Sequence, residues 1–268
     1  MAQRIASFSL VFILIGLLFS FVTASRGCAA DATEQSVRAE LIWSQSDGLR
    51  HEIFSSSFCA GEWAEPQQIT DDNADNLHPS IDIGPDGRKW AAWTALEESG
   101  MELRYSQNDG DRWQPSALIP SDLASNIKPS IMVAEDGVVW VAWSANDGGL
   151  DDIYYSRFLN GEWDDAQPIH DPNQVPDILP VLSLDETGSP LVTWQRYQNG
   201  GYVQVESIWE GSAWGEPTEF PEEDELTDDQ DVLVQALTLP DFVSDTRQVF
   251  VKFIEESPEE PDCTVITR

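Results

Sequence analysis

The strongest constraint on this chain is a period. Serine stands seven residues before tryptophan at Ser56/Trp63, Ser106/Trp113, Ser156/Trp163 and Ser207/Trp214, and these tryptophans are spaced 50, 50 and 51 residues apart. A second set, Trp43, Trp93, Trp143 and Trp194, keeps the same spacing. Pro79, Pro129 and Pro180 share the step, as do Gly87, Gly137 and Gly188, and Ile69, Ile119, Ile169 and Phe220. A fixed period of this length means repeated supersecondary units, each burying its apolar face only against its neighbours.

Within one period the pattern is all strand. PSIDI is a short apolar run, PDG a tight turn, KWAAW a second run, MELRYS a third, and SALI, after a further turn, a fourth. Asp86-Gly87 and Asp136-Gly137 read as two-residue hairpin turns with both central φ angles positive. Four short antiparallel strands in about 50 residues match a propeller blade better than a sandwich. The expected fold is therefore all-β, a single β-propeller of four-stranded antiparallel blades. The repeats run 39–70, 71–120, 121–170, 171–221 and 222–268. They imply five blades, the first and last incomplete; a four-bladed ring with an added hairpin is the alternative. ADATEQSV, ahead of the first repeat, is too polar for an inner strand, whereas VLVQALTL, VFVKFI and CTVITR are late strand candidates.

SQNDGDRW (Ser106 to Trp113) resembles the Asp-box of bacterial neuraminidase-type (BNR) repeats, Ser-x-Asp-x-Gly-x-x-Trp. Ser106, Gly110 and Trp113 fit, with Asn108 in the aspartate position. The other copies are worn: Ser56/Trp63 and Ser156/Trp163 keep only the ends, and Ser207/Trp214 also keeps Gly211. The resemblance, to sialidase-like propellers, covers roughly residues 39 to 220 and implies that these boxes are structural turns away from the ligand face.

The chain opens as an export signal. Arg4 precedes the apolar run Ser9 to Val22, and Val22-Thr23-Ala24 offers small residues for cleavage. SRGC, ending at Cys28, resembles a lipoprotein box with Ser25 and Arg26 out of pattern, so lipidation of Cys28 is the alternative outcome. The organisation is thus residues 1–28 leader, 29–38 linker and 39–268 propeller, giving a secreted, periplasmic or envelope-anchored protein with no later transmembrane segment. An exported chain favours a disulfide between the two cysteines that remain, Cys59 and Cys263. The net charge of −34, from 48 acidic and 14 basic residues, excludes nucleic acid and anionic membranes as partners.

The sialidase resemblance implies an arginine cluster, with one arginine two residues before an inner-strand proline. This chain has Leu77, Ile127 and Ile178 there, and its eleven arginines form no such constellation. Five-bladed glycosidases hydrolyse with paired carboxylates, and in that family an aspartate often immediately precedes the proline; here His78, Lys128 and Leu179 stand there. Nucleophile-elbow, P-loop, dinucleotide and zinc spacings are missing. His78 and His170 read as turn or surface residues, and Asn76, Asn126 and Asp177, each three before a proline, as turn caps. What remains is a convergent acidic face, Asp72, Asp75, Glu97, Asp122, Asp147, Asp152 and Asp177, whose oxygens would suit calcium. Eight of the eleven tryptophans are repeating positions and hence blade core, leaving Trp209 and Tyr197 to stack on sugars. The expected role is non-catalytic binding of a glycan or protein at the cell envelope, with a divergent glycosidase as the competing class.

Overall fold

The computed structural model describes residues 10–11, 38–59, 61–110, 112–219, 240, 243 and 249–254. Among them there is no α-helix, and the strands form four antiparallel sheets arranged as propeller blades. The second blade shows the plan: Asp75–Ile83 innermost, then Lys89–Glu97, Gly100–Asn108 and Ala117–Ile119. The third runs Ser125–Val133, Val139–Asn146, Asp152–Leu159, with Glu162–Trp163 and Gln167–Pro168 both pairing the third strand. The fourth runs Asp177–Leu184, Pro190–Gln198, Gly201–Ile208 and Thr218–Glu219.

The first blade is assembled from both ends of the chain. Arg38–Ser46, which carries Trp43, pairs on one side with His51–Cys59 and on the other with Val249–Ile254. VFVKFI therefore supplies the inner strand that ADATEQSV could not, instead of a strand in a fifth blade. Leu10–Val11, within the expected leader, pairs with the far edge of Val249–Ile254. VLVQALTL and CTVITR, the other strands assigned to a fifth blade, lie outside the described residues.

The second strands of the second and third blades read as near-continuous apolar runs because both are covered on two faces by neighbouring blades, whereas Pro190–Gln198 of the fourth blade alternates. Lys89–Glu97 has six buried residues in succession and Val139–Asn146 seven. Trp43, Trp93, Trp143 and Trp194 are at most 1% exposed. Trp143 packs with Leu103 and Ile119 of the preceding blade, and Trp194 packs in the same way with Ile153 and Ile169. Burying surface of this size is the dominant favourable contribution to the seams.

The other tryptophan set corrects the expectation that all eight repeating indoles are blade core. Trp63, Trp113, Trp163 and Trp214 sit nearer the rim and are only half-buried, because each follows an outer hairpin with solvent on one side. Nor do they share one local structure. Trp63 and Trp163 lie in two-residue strands, whereas Trp113 and Trp214 make single bridges, to Asn108 and Trp209. Trp113 donates Nε1 to Ser55 Oγ at 2.9 Å, but Trp163 and Trp214 each bury Nε1 without a hydrogen-bond partner. Trp214 is held by ring contacts instead, edge-on to Trp140 at 5.8 Å, Tyr155 at 5.6 Å and Trp209 at 5.6 Å. The repeating serines beside them have a common use: Ser56, Ser106, Ser156 and Ser207 each donate Oγ to the carbonyl eight residues on, at 2.6 to 2.7 Å. That bond ties the third strand to the chain leaving its outer hairpin.

The turns correct a second expectation. Gly87 and Gly137 have φ of 78° and 83°, but Asp86 and Asp136 are not at positive φ. Each glycine instead closes a four-residue turn, Gly87 N donating to Gly84 O and Gly137 N to Ala134 O, at 2.9 Å. The two-residue turns with both central angles positive are Asn160-Gly161 and Asn199-Gly200, where asparagine tolerates the left-handed region.

Every inner strand from the second blade to the fourth carries a bulge at its proline. His78, Lys128 and Leu179 take φ of 52°, 54° and 58°, and register shifts bracket them. This costs energy, and the residue before a proline is already restricted. The neighbouring blade holds two of them: Thr94 Oγ1 accepts from Lys128 N, and Ser144 Oγ from Leu179 N, both at 3.0 Å. Charge pins the inner strands as well. Asp82 accepts from Val133 N at 2.9 Å and from Lys252 Nζ at 2.9 Å, joining three blades.

Candidate functional site

The residue three places before each inner-strand proline is wholly buried. Its side chain ties the loop before its strand, Asn126 Nδ2 donating to Leu123 O at 3.3 Å, and it also receives the indole of the second-strand tryptophan. Trp93 Nε1 donates to Asn76 at 2.8 Å, Trp143 to Asn126 at 2.9 Å and Trp194 to Asp177 at 2.8 Å. Two places beyond those tryptophans stand Ala95, Ala145 and Arg196. The fourth blade thus replaces an asparagine and an alanine with an aspartate and an arginine.

Asp177 is the centre of the resulting network. Arg196 donates Nε to Oδ1 at 2.8 Å and Nη2 to Oδ2 at 3.1 Å. His170 Nε2 lies 3.0 Å from Oδ2, and Asn173 Nδ2 also donates there. Burial alone would raise the Asp177 pKa, but the bonds from His170, Arg196 and Asn173 hold it below the ordinary aspartate value. The His170 side chain is 7% exposed, stacked on Trp194 with centroids 5.6 Å apart, and donates Nδ1–H to Asp171 O at 2.7 Å. Burial pulls its pKa down; Asp177 and the Asp171 carbonyl push it up further, so the net shift is upward.

Asp152, at the start of the third strand of the third blade, completes the group. Its Oδ1 is buried without a hydrogen-bond partner. Burial raises its pKa, and Asp177 and Asp147 add to that rise, with His170 and Arg196 opposing. The seam between blades one and two builds the same corner with Thr70 and Ala95 at the histidine and arginine positions, and Arg50 Nη1 donating to Asp72 O at 2.6 Å. There Glu52 replaces Asp152, Thr70 donates Oγ1 to it, and Asn76 donates Nδ2 to Asp72 at 3.0 Å.

Asp152, His170 and Asp177 each offer a ligand atom within 4.8 Å of the others. The set fits calcium poorly, because calcium takes six to eight oxygens and the oxygens of Asp177 are already saturated. Arg196 Nη2, 3.1 Å from His170 Nε2, places a cation where an ion would have to sit.

Of the seven acidic candidates, only Asp152 and Asp177 meet in this cluster. Asp75 accepts from His51 at 2.8 Å, Glu97 pairs with Arg104 at 2.6 Å, and Asp72 accepts from Ala74 N and Asn76. Asp122 and Asp147 are exposed. Trp209 is not a free platform: it packs edge-on to Trp140 with centroids 5.0 Å apart and against Trp214 at 5.6 Å. Tyr197 is 40% exposed and lies edge-on to Tyr202, itself 50% exposed, at 5.4 Å. Tyr197 N donates to Pro176 O at 2.9 Å, and strand alternation turns the Tyr197 and Tyr202 side chains to the opposite face of the hairpin from Arg196. His170 and Arg196 were missed in the sequence. The signal for Arg196 was there: it interrupts a column of alanines two residues after a repeating tryptophan.

Blades and site together define an all-β propeller in which one seam carries a histidine, an aspartate and an arginine where the preceding seams carry neutral residues. Among solved structures, one of unknown function from Dyadobacter fermentans shares the fold at a TM-score of 0.54 and 10% identity over 65% of this chain, which spans 60% of that protein. A Penicillium chrysogenum α-L-arabinanase complexed with arabinobiose matches at 0.50 and 9% identity, covering 70% of this chain and 68% of that one. A Hadza microbial sialidase matches at 0.44 and 11%, covering 63% and 45%. These similarities concern the fold. No protein-family model and no curated protein matches the sequence.

Proposed function

We propose that this chain is an exported, non-catalytic propeller that binds a glycan at the cell envelope, through the upper face of the seam between its third and fourth blades. The observation that carries this is the Asp152, His170, Asp177 and Arg196 cluster that only this seam possesses among the described residues, with Tyr197 and Tyr202 exposed on the other face of the fourth-blade hairpin that carries Arg196. Fixed polar groups and an exposed aromatic pair on one hairpin suit an extended glycan, with its hydroxyls on the first and a ring face on the second. The arabinanase that shares the fold is complexed with a disaccharide, which supports a glycan over a protein ligand. In this reading the four serine-to-carbonyl ties are worn Asp-boxes, structural on the opposite face.

Asp152 and Asp177, with pKa values shifted in opposite directions, favour a second reading as a divergent glycosidase. Against it, Asp177 is 0% exposed and its lone pairs are taken, so it cannot attack or activate water. A glycan array probed with the mature domain tests the proposal. Binding that Tyr202→Ala abolishes, without loss of melting temperature, is expected. Hydrolysis of arrayed oligosaccharides, lost in Asp152→Asn, would replace the binding reading with the enzymatic one.

A further inference from the structure

A cavity of about 420 Å³ opens on the lower face between the second and third blades, away from the site above. Trp90, Val133 and Phe158 form its apolar wall, and Asp86, Glu135 and Asp136 stand at its mouth. Trp90 is 5% exposed, with its ring 5.0 Å from that of Phe158. All three carboxylates are on exposed turns, and Arg88 borders them with Nη1 3.5 Å from Gln107 Oε1.

One seam further on, the equivalent slot is closed from within. Trp140 and Trp209 are the counterparts of Trp90 and Phe158, with the same 5.0 Å between centroids. There the Arg157 guanidinium lies 5.3 Å from the Trp140 ring and 5.2 Å from the Trp209 ring. Asp164 clamps it at 2.8 Å. Arg157 is the cross-strand partner of Trp140, and the residue in the same register opposite Trp90 is Gln107. The second blade has also exchanged the clamping aspartate for Gln114. The open seam therefore lacks the inserted arginine and its clamp, and has three carboxylates and Arg88 around its entrance.

We propose that this cavity binds an arginine side chain presented by a basic peptide segment of another protein. A planar guanidinium can stack on an indole face while donating to carboxylates, which a lysine ammonium does less well. The volume falls within the range of small-ligand sites, and the net charge of −34 draws cationic partners to the surface.

The test is calorimetric titration of the full chain with Nα-acetyl-L-arginine amide, with Nα-acetyl-L-lysine amide as the competitor chemistry. Stoichiometric binding of the arginine probe, about tenfold tighter than the lysine probe, is expected. Gln107→Arg should restore the internal occupant and abolish binding while the melting temperature holds or rises. Glu135→Gln combined with Asp136→Asn, which alters only exposed turn residues, should weaken binding about tenfold. Glu65→Gln, an exposed acid on the first blade, should leave it unchanged. Equal affinity for both probes, no binding, or binding that survives both the Gln107 variant and the double variant would overturn the proposal. Glycan binding by the opposite face is read independently in the same variants.

Discussion

Asp177 and Arg196 form an ion pair at 2.8 Å at the two positions where the preceding blades carry asparagine and alanine. The aspartate is 0% exposed and the arginine side chain 20%, so the pair is held largely out of water. Asp177→Asn keeps an acceptor for the Trp194 indole but leaves the guanidinium against His170 without its bonded carboxylate, Asp152 being the acid that remains in the cluster. Breaking one side of such a pair costs about 3–5 kcal/mol. Adding Arg196→Ala recreates the neutral chemistry of the second and third blades and should recover most of that loss. Urea denaturation of the two single variants and the double variant measures the coupling. Additive losses would mean that the two residues do not act as a unit.

The repeating tryptophans of the second strands are expected to be the chief stabilising side chains of the seams. Trp143 is 0% exposed and donates its indole N–H to Asn126. Trp143→Ala should cost about 3–5 kcal/mol. Trp63, half-buried at the rim, should cost less on the same substitution. A melting temperature unmoved by Trp143→Ala would refute the blade-core assignment.

Two histidines should give stability opposite dependences on pH. Burial, with Lys128 nearby, lowers the His78 pKa from 6.5 to about 4. Between those values the unfolded chain takes the proton first, so the contribution of neutral His78 is complete above about 6.5 and lost as pH falls towards 4. His170 is raised, so its contribution is complete below 6.5 and lost as pH rises through its folded value. His78→Asn, which suits the positive φ, should flatten the acid limb of stability against pH, and His170→Gln the limb above pH 6.5. Urea midpoints from pH 4 to 8 report both slopes.

Cys59 is disulfide-bonded. Both remaining cysteines, Cys28 and Cys263, lie outside the described residues. Val249–Ile254 pairs directly with Arg38–Ser46, itself the partner of the strand ending in Cys59, which brings the late chain to the first blade. Non-reducing peptide mapping is expected to link Cys59 to Cys263. Reduction should then lower the melting temperature, because a bridge across so long a loop is worth about 4–5 kcal/mol in the chain-entropy model. A Cys28–Cys59 peptide would contradict the assignment.

Much of this protein could be read from one column of residues repeated every 50 positions. Burial on both faces forces long apolar runs with tryptophan at a fixed place, so Trp93, Trp143 and Trp194 announced the seams they fill. Serine before each outer hairpin, and proline at each inner bulge, were local necessities with local signatures. Depth was less legible: Trp214 repeats as faithfully as Trp194, yet a period records position along the chain and not distance from the rim. The turn type was also hard to read, since Asp-Gly permits several turns and the spacing of the flanking strands selects one. Three matters were decided only by the tertiary structure. The inner strand of the first blade comes from Val249–Ile254, about 200 residues away, because an unpaired strand edge accepts any apolar strand that ring closure brings near. His170 became a buried partner of Asp177 because its surroundings come from two blades, and no local pattern encodes a cross-blade environment. Arg157, clamped by Asp164, closes one seam while Gln107 and Gln114 leave another open, a difference of a few side chains in the sequence and of a whole cavity in space. Period and burial are properties of each repeat and are written in it, whereas a site at a seam belongs to two repeats and exists only once they are packed.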